Sequence, residues 1–134
     1  MTKKEAVQIL AILKAAYPAS YNNMTKEEAS GTVSVWAMQF DDVPADIVMM
    51  AIHKMIATNK FPPTVAEVKD KIKSLHWEAY DSVTAFKDVL PENVLAKCQY
   101  IYDATQNYKY GKMYEPKLNA MISSGQLLIG GNNG

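Results

Sequence analysis

A chain of 134 residues with 14 basic and 14 acidic side chains has no global field to draw it onto nucleic acid or an anionic membrane, so any such contact must be local. Its length suits one domain that buries roughly two-thirds of its unfolded surface, without help from a metal or a disulfide. The single cysteine, Cys98, rules out an internal disulfide and a multi-thiol metal site, and suits a reducing compartment with the cytosol as default.

The N-terminus begins basic and turns apolar like a signal peptide, but Glu5, Gln8 and Lys14 recur within the apolar run, which reads as a soluble helix. Thr2-Lys3-Lys4-Glu5 is a capping box that starts it. Ala6, Leu10, Leu13 and Tyr17 form its stripe, widened by Ile9, Ala16, Val7 and Ile12, and Pro18 ends it. A second box at Thr25-Lys26-Glu27-Glu28 starts a helix with Ala29, Val33, Trp36, Ala37 and Phe40 on one face. Gly31 costs that helix about 1 kcal/mol relative to alanine, and Trp36 reads as core rather than as a ligand platform. After the turn Asp41-Asp42-Val43-Pro44, a third helix turns Val48, Ala51, Ile52, Met55 and Ile56 inward. Ile47 and Met50 fall away from that stripe, either as a small apolar patch for a partner or beneath a neighbouring helix.

The next stretch, Thr58-Asn59-Lys60-Phe61-Pro62-Pro63-Thr64-Val65-Ala66-Glu67-Val68, breaks the helical run. A residue before proline is pushed out of the α region, so Phe61-Pro62-Pro63 must be extended. Thr64-Val65-Ala66-Glu67 then restarts the chain as a fourth helix. The result is a rigid elbow, with Phe61 expected beneath its corner. Val65, Val68, Ile72, Leu75, Ala79, Val83, Phe86 and Leu90 lie near one line, which predicts a single long helix of roughly 40 Å. Pro91 ends it and opens a fifth, with Val94, Leu95, Cys98, Ile101, Tyr102 and Thr105 on one face. The short connection favours an antiparallel hairpin.

The class is therefore all-α, a small bundle of about five helices with no strand pattern. Its expected divisions are an N-terminal helical domain over residues 1–75, a C-terminal helical hairpin extension over 76–108, and a tail over 109–134. That tail is expected to hold a short helix around Pro116 to Ser123 and a disordered end.

Chemistry finds little footing. The six glycines make no phosphate loop, and no Walker lysine follows one. His53 and His76 lie on different helices without zinc spacing and read as surface histidines. Cys98 sits on an inward stripe and reads as a small core residue. The paired acids suit turns and helix N-termini, where the helix dipole favours negative charge. The expectation is a non-enzyme without catalytic residues, cofactor or metal.

Binding residues are more plausible. Trp77 lies opposite the apolar stripe of the fourth helix among Asp70, Lys73 and Asp81, where it serves recognition or is covered by the fifth helix or the tail. Tyr100, Tyr108, Tyr110 and Tyr114 are interleaved with Lys109, Lys112 and Lys117, a mixture able to stack bases and hold phosphates of a single strand. Tyrosines at a helix end also commonly pack half-buried.

Ala16-Tyr17-Pro18 closing an apolar first helix, Trp36 in the second, and the Asn59-Lys60-Phe61-Pro62-Pro63-Thr64 run opening the next helix together resemble the phage loader-and-inhibitor family of replicative DNA helicases. The likeness covers Met1 to about Ile72. It implies a non-enzymatic adaptor of phage or prophage DNA replication in the bacterial cytoplasm. Such an adaptor would bind and restrain a hexameric replicative helicase and deliver it to an origin-bound initiator, with no membrane role and no direct nucleic-acid binding. In that family the flexible C-terminal part is implicated in contacting the helicase, whereas Ala79 to Thr105 of this chain carries helical periodicity. The partner-binding candidates Trp77, Ile47, Met50, Tyr108, Tyr110 and Tyr114 therefore rest on exposure arguments alone. Two rivals remain: a single-strand-binding replication accessory using the tyrosine and lysine segment, and a phage inhibitor of another host protein.

Overall fold

The computed structural model describes residues 1–110. Among them are six α-helices and no strand: α1 (Lys3–Ala16), α2 (Pro18–Tyr21), α3 (Lys26–Gln39), α4 (Ala45–Ile56), α5 (Val65–Thr84) and α6 (Glu92–Ala104), followed by a 3₁₀ turn at Gln106–Tyr108. The all-α expectation holds. The sixth helix is the single turn α2, because Pro18 not only stops α1 but occupies the first position of a new turn, where its missing N–H costs nothing.

The helix starts form as their sequences dictate. Thr2 Oγ1 accepts from the Glu5 amide while Glu5 Oε1 accepts from the Thr2 amide. The same reciprocal pair joins Thr64 and Glu67 at α5. At α3 the forward half forms, with the Glu28 amide donating to Thr25 Oγ1 at 3.1 Å. Each cap satisfies donors that the first helical turn leaves bare.

One apolar core joins Ile9 and Leu13 of α1, Trp36 of α3, Phe40 after it, Val48 and Ile52 of α4, and Val68, Ile72 and Leu75 of α5. Ile101 of α6 and Tyr108 of the 3₁₀ turn belong to the same cluster. Trp36 is core, as its place on the stripe suggests, tilted against Phe40 at 5.5 Å between ring centroids. Helix α1 lies on α3, α4 contacts both α1 and α5, and α6 lies along α5.

The position of α4 corrects one expectation. Ile47 does not fall away from the core but is 0 % exposed, and Met50 is half-buried against the core. A helix with neighbours on two sides needs a wider apolar arc than a single stripe, and Ile47 lies on that wider arc.

The long helix is a second correction. Helix α5 ends at Thr84, about 30 Å from its start at 1.5 Å per residue. The Val89 and Leu90 amides donate to the Phe86 carbonyl in a separate turn. Phe86, expected on the inward line, and its neighbour Val89 are 53 % and 75 % exposed. Ser82 and Thr84 turn their hydroxyls back to the Glu78 and Tyr80 carbonyls, a local competition that weakens a helix end. On α6, Ile101 and then Thr105 are buried, Leu95, Cys98 and Tyr102 are half-buried, and Val94 is exposed.

Candidate partner-binding surface

The elbow between α4 and α5 is built from both ends. The Thr58 and Asn59 amides both donate to the Met55 carbonyl, at 3.1 and 2.7 Å, closing α4. The Tyr17 hydroxyl donates to the Asn59 carbonyl at 2.9 Å, tying the elbow to the end of α1. Two prolines then restrict the backbone, and the Thr64–Glu67 box fixes the exit. Pro63 is the residue buried at this corner.

Phe61 is therefore not packed beneath the elbow, as its sequence context suggested, but stands 71 % exposed on top of it. The Lys60 ammonium lies over its ring, 5.7 Å from the centroid. With Asn59, Pro62 and Glu67 these two residues line an open groove of about 290 Å³. An exposed aromatic on a stiff backbone loses little conformational freedom when a partner covers it. Full burial of such a side chain is worth about 1.5–3 kcal/mol.

A second apolar surface lies on the outer side of α3. Val35 and Met38 are exposed there, beside an open groove of about 510 Å³ lined by Met24, Glu28, Gly31, Thr32, Val35 and Trp36. A Cβ added at Gly31 would meet nothing within 4 Å.

The residues singled out in the sequence disperse. Trp77 is half-buried, donating its indole N–H to the Lys109 carbonyl at 3.2 Å and meeting His76 and Tyr80 edge-on. Ile47 is buried and Met50 half-buried, so the apolar patch expected on α4 is not an open surface. Tyr108 is 4 % exposed; its hydroxyl donates to Asp42 Oδ1 at 2.9 Å. Burial, then the Asp42 hydrogen bond and the Asp42 and Asp41 charges, push its phenol well above the ordinary tyrosine value. Tyr110 is exposed with the Lys109 ammonium 5.5 Å from its ring centroid, and Tyr114 lies outside the described residues. Tyr100 donates to both carboxylate oxygens of Asp46, at 2.9 and 2.8 Å, and that bond raises its phenol.

Two further residues depart from expectation. His76 is 0 % exposed rather than a surface histidine. Cys98 is half-buried rather than core. His53 is exposed. Among the described residues no group of three or more His, Cys, Asp or Glu is placed to hold a metal ion, and no helix is long and apolar enough to cross a membrane.

The residue that sequence reasoning missed is Phe61. Its signal was present as an aromatic followed by two prolines, since a chain forced to be extended at a corner cannot turn every side chain inward.

Comparison with known proteins places these surfaces in a family. The family model for the N-terminal domain of phage helicase loader and inhibitor proteins matches residues 1–69, spanning α1 through the first turn of α5 and including the whole elbow. No curated protein and no solved structure matches the chain. The match spans more than half of the 134 residues, and the chain belongs to this family of phage helicase loaders and inhibitors.

Proposed function

We propose that this protein is a non-enzymatic adaptor of phage DNA replication that binds a hexameric replicative helicase, restrains it, and delivers it to an origin-bound initiator. The single observation that carries this reading is the exposed Phe61 on a braced elbow within the family-matched residues. The elbow offers a phenyl ring with an ammonium beside it, suited to an apolar pocket with an acidic rim. Restraint needs no covalent step. An adaptor that prefers one conformation of the ring shifts the ring by its differential affinity for the two states. Delivery follows if the initiator competes for the same contacts or weakens them.

The rival single-strand reading loses support, because Tyr100 is engaged by Asp46 and Tyr108 is buried against Asp42. Stacking platforms need free ring faces.

Size-exclusion chromatography of the protein with its cognate hexameric helicase tests the proposal. The expected result is co-elution at micromolar concentration, lost or weakened at least tenfold in Phe61→Asp while the circular dichroism spectrum stays unchanged. Failure of the native chain to co-elute refutes the helicase reading; co-elution that F61D leaves untouched refutes the elbow as the contact.

A further inference from the structure

His76 is the most unusual polar group of the described fold. It sits on α5, fully buried beneath α6. Its Nδ1 lies 2.9 Å from Thr105 Oγ1. That hydroxyl has one proton, and its short contact to the Ile101 carbonyl, 2.6 Å, uses it. Nδ1 must then be the donor to Thr105, which makes the neutral ring the Nδ1–H tautomer. The other nitrogen, Nε2, is left as a bare lone pair, buried with no hydrogen-bond partner among the described residues.

A proton arriving at Nε2 would create a buried cation whose new N–H has no acceptor among the described residues. Burial disfavours it most, and the Lys109 charge next to the 3₁₀ turn adds repulsion. The Tyr102 carbonyl acts in the opposite sense, as does the Tyr102 ring, stacked 5.0 Å from the imidazole. The two disfavouring effects prevail, and the imidazole is held below its ordinary value. Trp77 and Tyr80 on the same helix complete the aromatic surroundings. From the 3₁₀ turn, Tyr108 is engaged with Asp42. On α4, Asp46, His53 and Lys54 are all exposed, Asp46 being held by Tyr100. No carboxylate is among the groups that shift the titration of His76.

The element above His76 lies along α5 but fully buries few of its own side chains. Only Ile101 is buried along the whole of α6. Tyr102 and Ala104 pack half-buried against the core and Tyr108 belongs to it; the rest of the attachment is polar: Tyr100 to Asp46, Asn107 Nδ2 to the Asp42 carbonyl at 2.8 Å, Tyr108 to Asp42, and the Trp77 indole to Lys109. A segment with so few apolar anchors belongs to the low-stability end of a fold and opens before the rest.

We propose that α6 with the 3₁₀ turn is a strap that acid opens: protonation of the His76 ring unseats the strap and uncovers the face of α5 around His76 and Tyr80. Opening gives Nε2 access to water and moves Lys109 away. The imidazole then titrates near its ordinary value, about 6.5. Below that pH the open form binds a proton that the closed form does not, so opening is favoured as pH falls until the closed form is protonated too.

Amide hydrogen exchange on the full chain, corrected for intrinsic chemistry, tests this in a His53→Gln background where His76 is the sole histidine. Between pH 6.5 and 5 the opening constant of α6 amides is expected to rise roughly fifteenfold in total, and α6 should open more readily than α1 at every pH. The ¹⁵N shift of His76 Nε2, which reports the dominant closed form, should titrate below this range. His76→Asn, which keeps a donor for Thr105 but cannot take the proton, should abolish the response. The proposal is overturned if α6 protection does not change, if α6 and α1 amides share one opening constant, or if H76N responds like its parent. Should H76N not fold, the ring titration decides alone: a closed-form imidazole that titrates at or above its ordinary value overturns the trigger.

Discussion

Phe61 and Ile47 exchange the places their sequence contexts suggested, and each makes a residue-scale prediction. The Phe61 ring contributes little to the core, so Phe61→Asp should leave the thermal midpoint nearly unchanged, with stability within about 0.5 kcal/mol, while affecting partner binding. Ile47 is enclosed on every side, and Ile47→Ala should cost about 2–5 kcal/mol in urea unfolding, the range of buried truncations that leave a cavity. Gly31 works in the other direction. It lies inside α3 with open space where a Cβ would stand, so Gly31→Ala should stabilise by roughly 0.5–1 kcal/mol in the same assay. The added methyl would also narrow the α3 groove it lines.

Among the elements, the caps and the elbow act as one device. The Thr64–Glu67 box both starts α5 and fixes the direction in which the elbow leaves. Thr64→Ala should lower stability by about 1 kcal/mol. It should also weaken helicase co-elution if the elbow is the contact, because the backbone below Phe61 loses one of its braces. The Tyr17 hydroxyl on the Asn59 carbonyl is the other brace. Helix α5 teaches a different lesson: an apolar line at helical spacing runs on to Leu90, yet the helix stops at Thr84. Beyond Ala79 the described residues of α5 bury no further side chain, and periodicity without a surface to bury against does not by itself sustain a helix.

Across the whole molecule, α5 runs from the family-matched residues into the part that the match leaves uncovered. Residues after the match contribute Ile101 and Tyr108 to the same core as α1 and α4. Ending the chain after Thr84 would strip the cover from His76 and remove Ile101 and Tyr108 from the core. Such a truncation should melt at a lower temperature and bind a hydrophobic dye that the full chain does not, which a fluorescence-monitored melt would register. The buried neutral imidazole also ties global stability to pH. An unfolded chain protonates His76 below about pH 6.5 while the folded one resists, so stability should fall by up to about 1.4 kcal/mol per pH unit as acid is added, and not change on this account above that range.

The helices, their starts and the elbow were legible in the residues because they depend on neighbours in sequence. A threonine three positions before a glutamate closes a cap, and a proline restricts the residue before it, wherever the chain later folds. The family likeness, carried by the Asn59 to Thr64 run, was legible for the same reason. Exposure was not. Whether Phe61 is covered, whether Ile47 is on the arc between two neighbours, and whether His76 and Trp77 meet α6 and Lys109 depend on groups from 29 to 32 positions away or on packing between separate helices. Local sequence determined where the long helices start and where the chain must bend; only tertiary packing decided where α5 ends and which side chains water reaches, because burial is a property of the surfaces that meet and not of the residue that is buried.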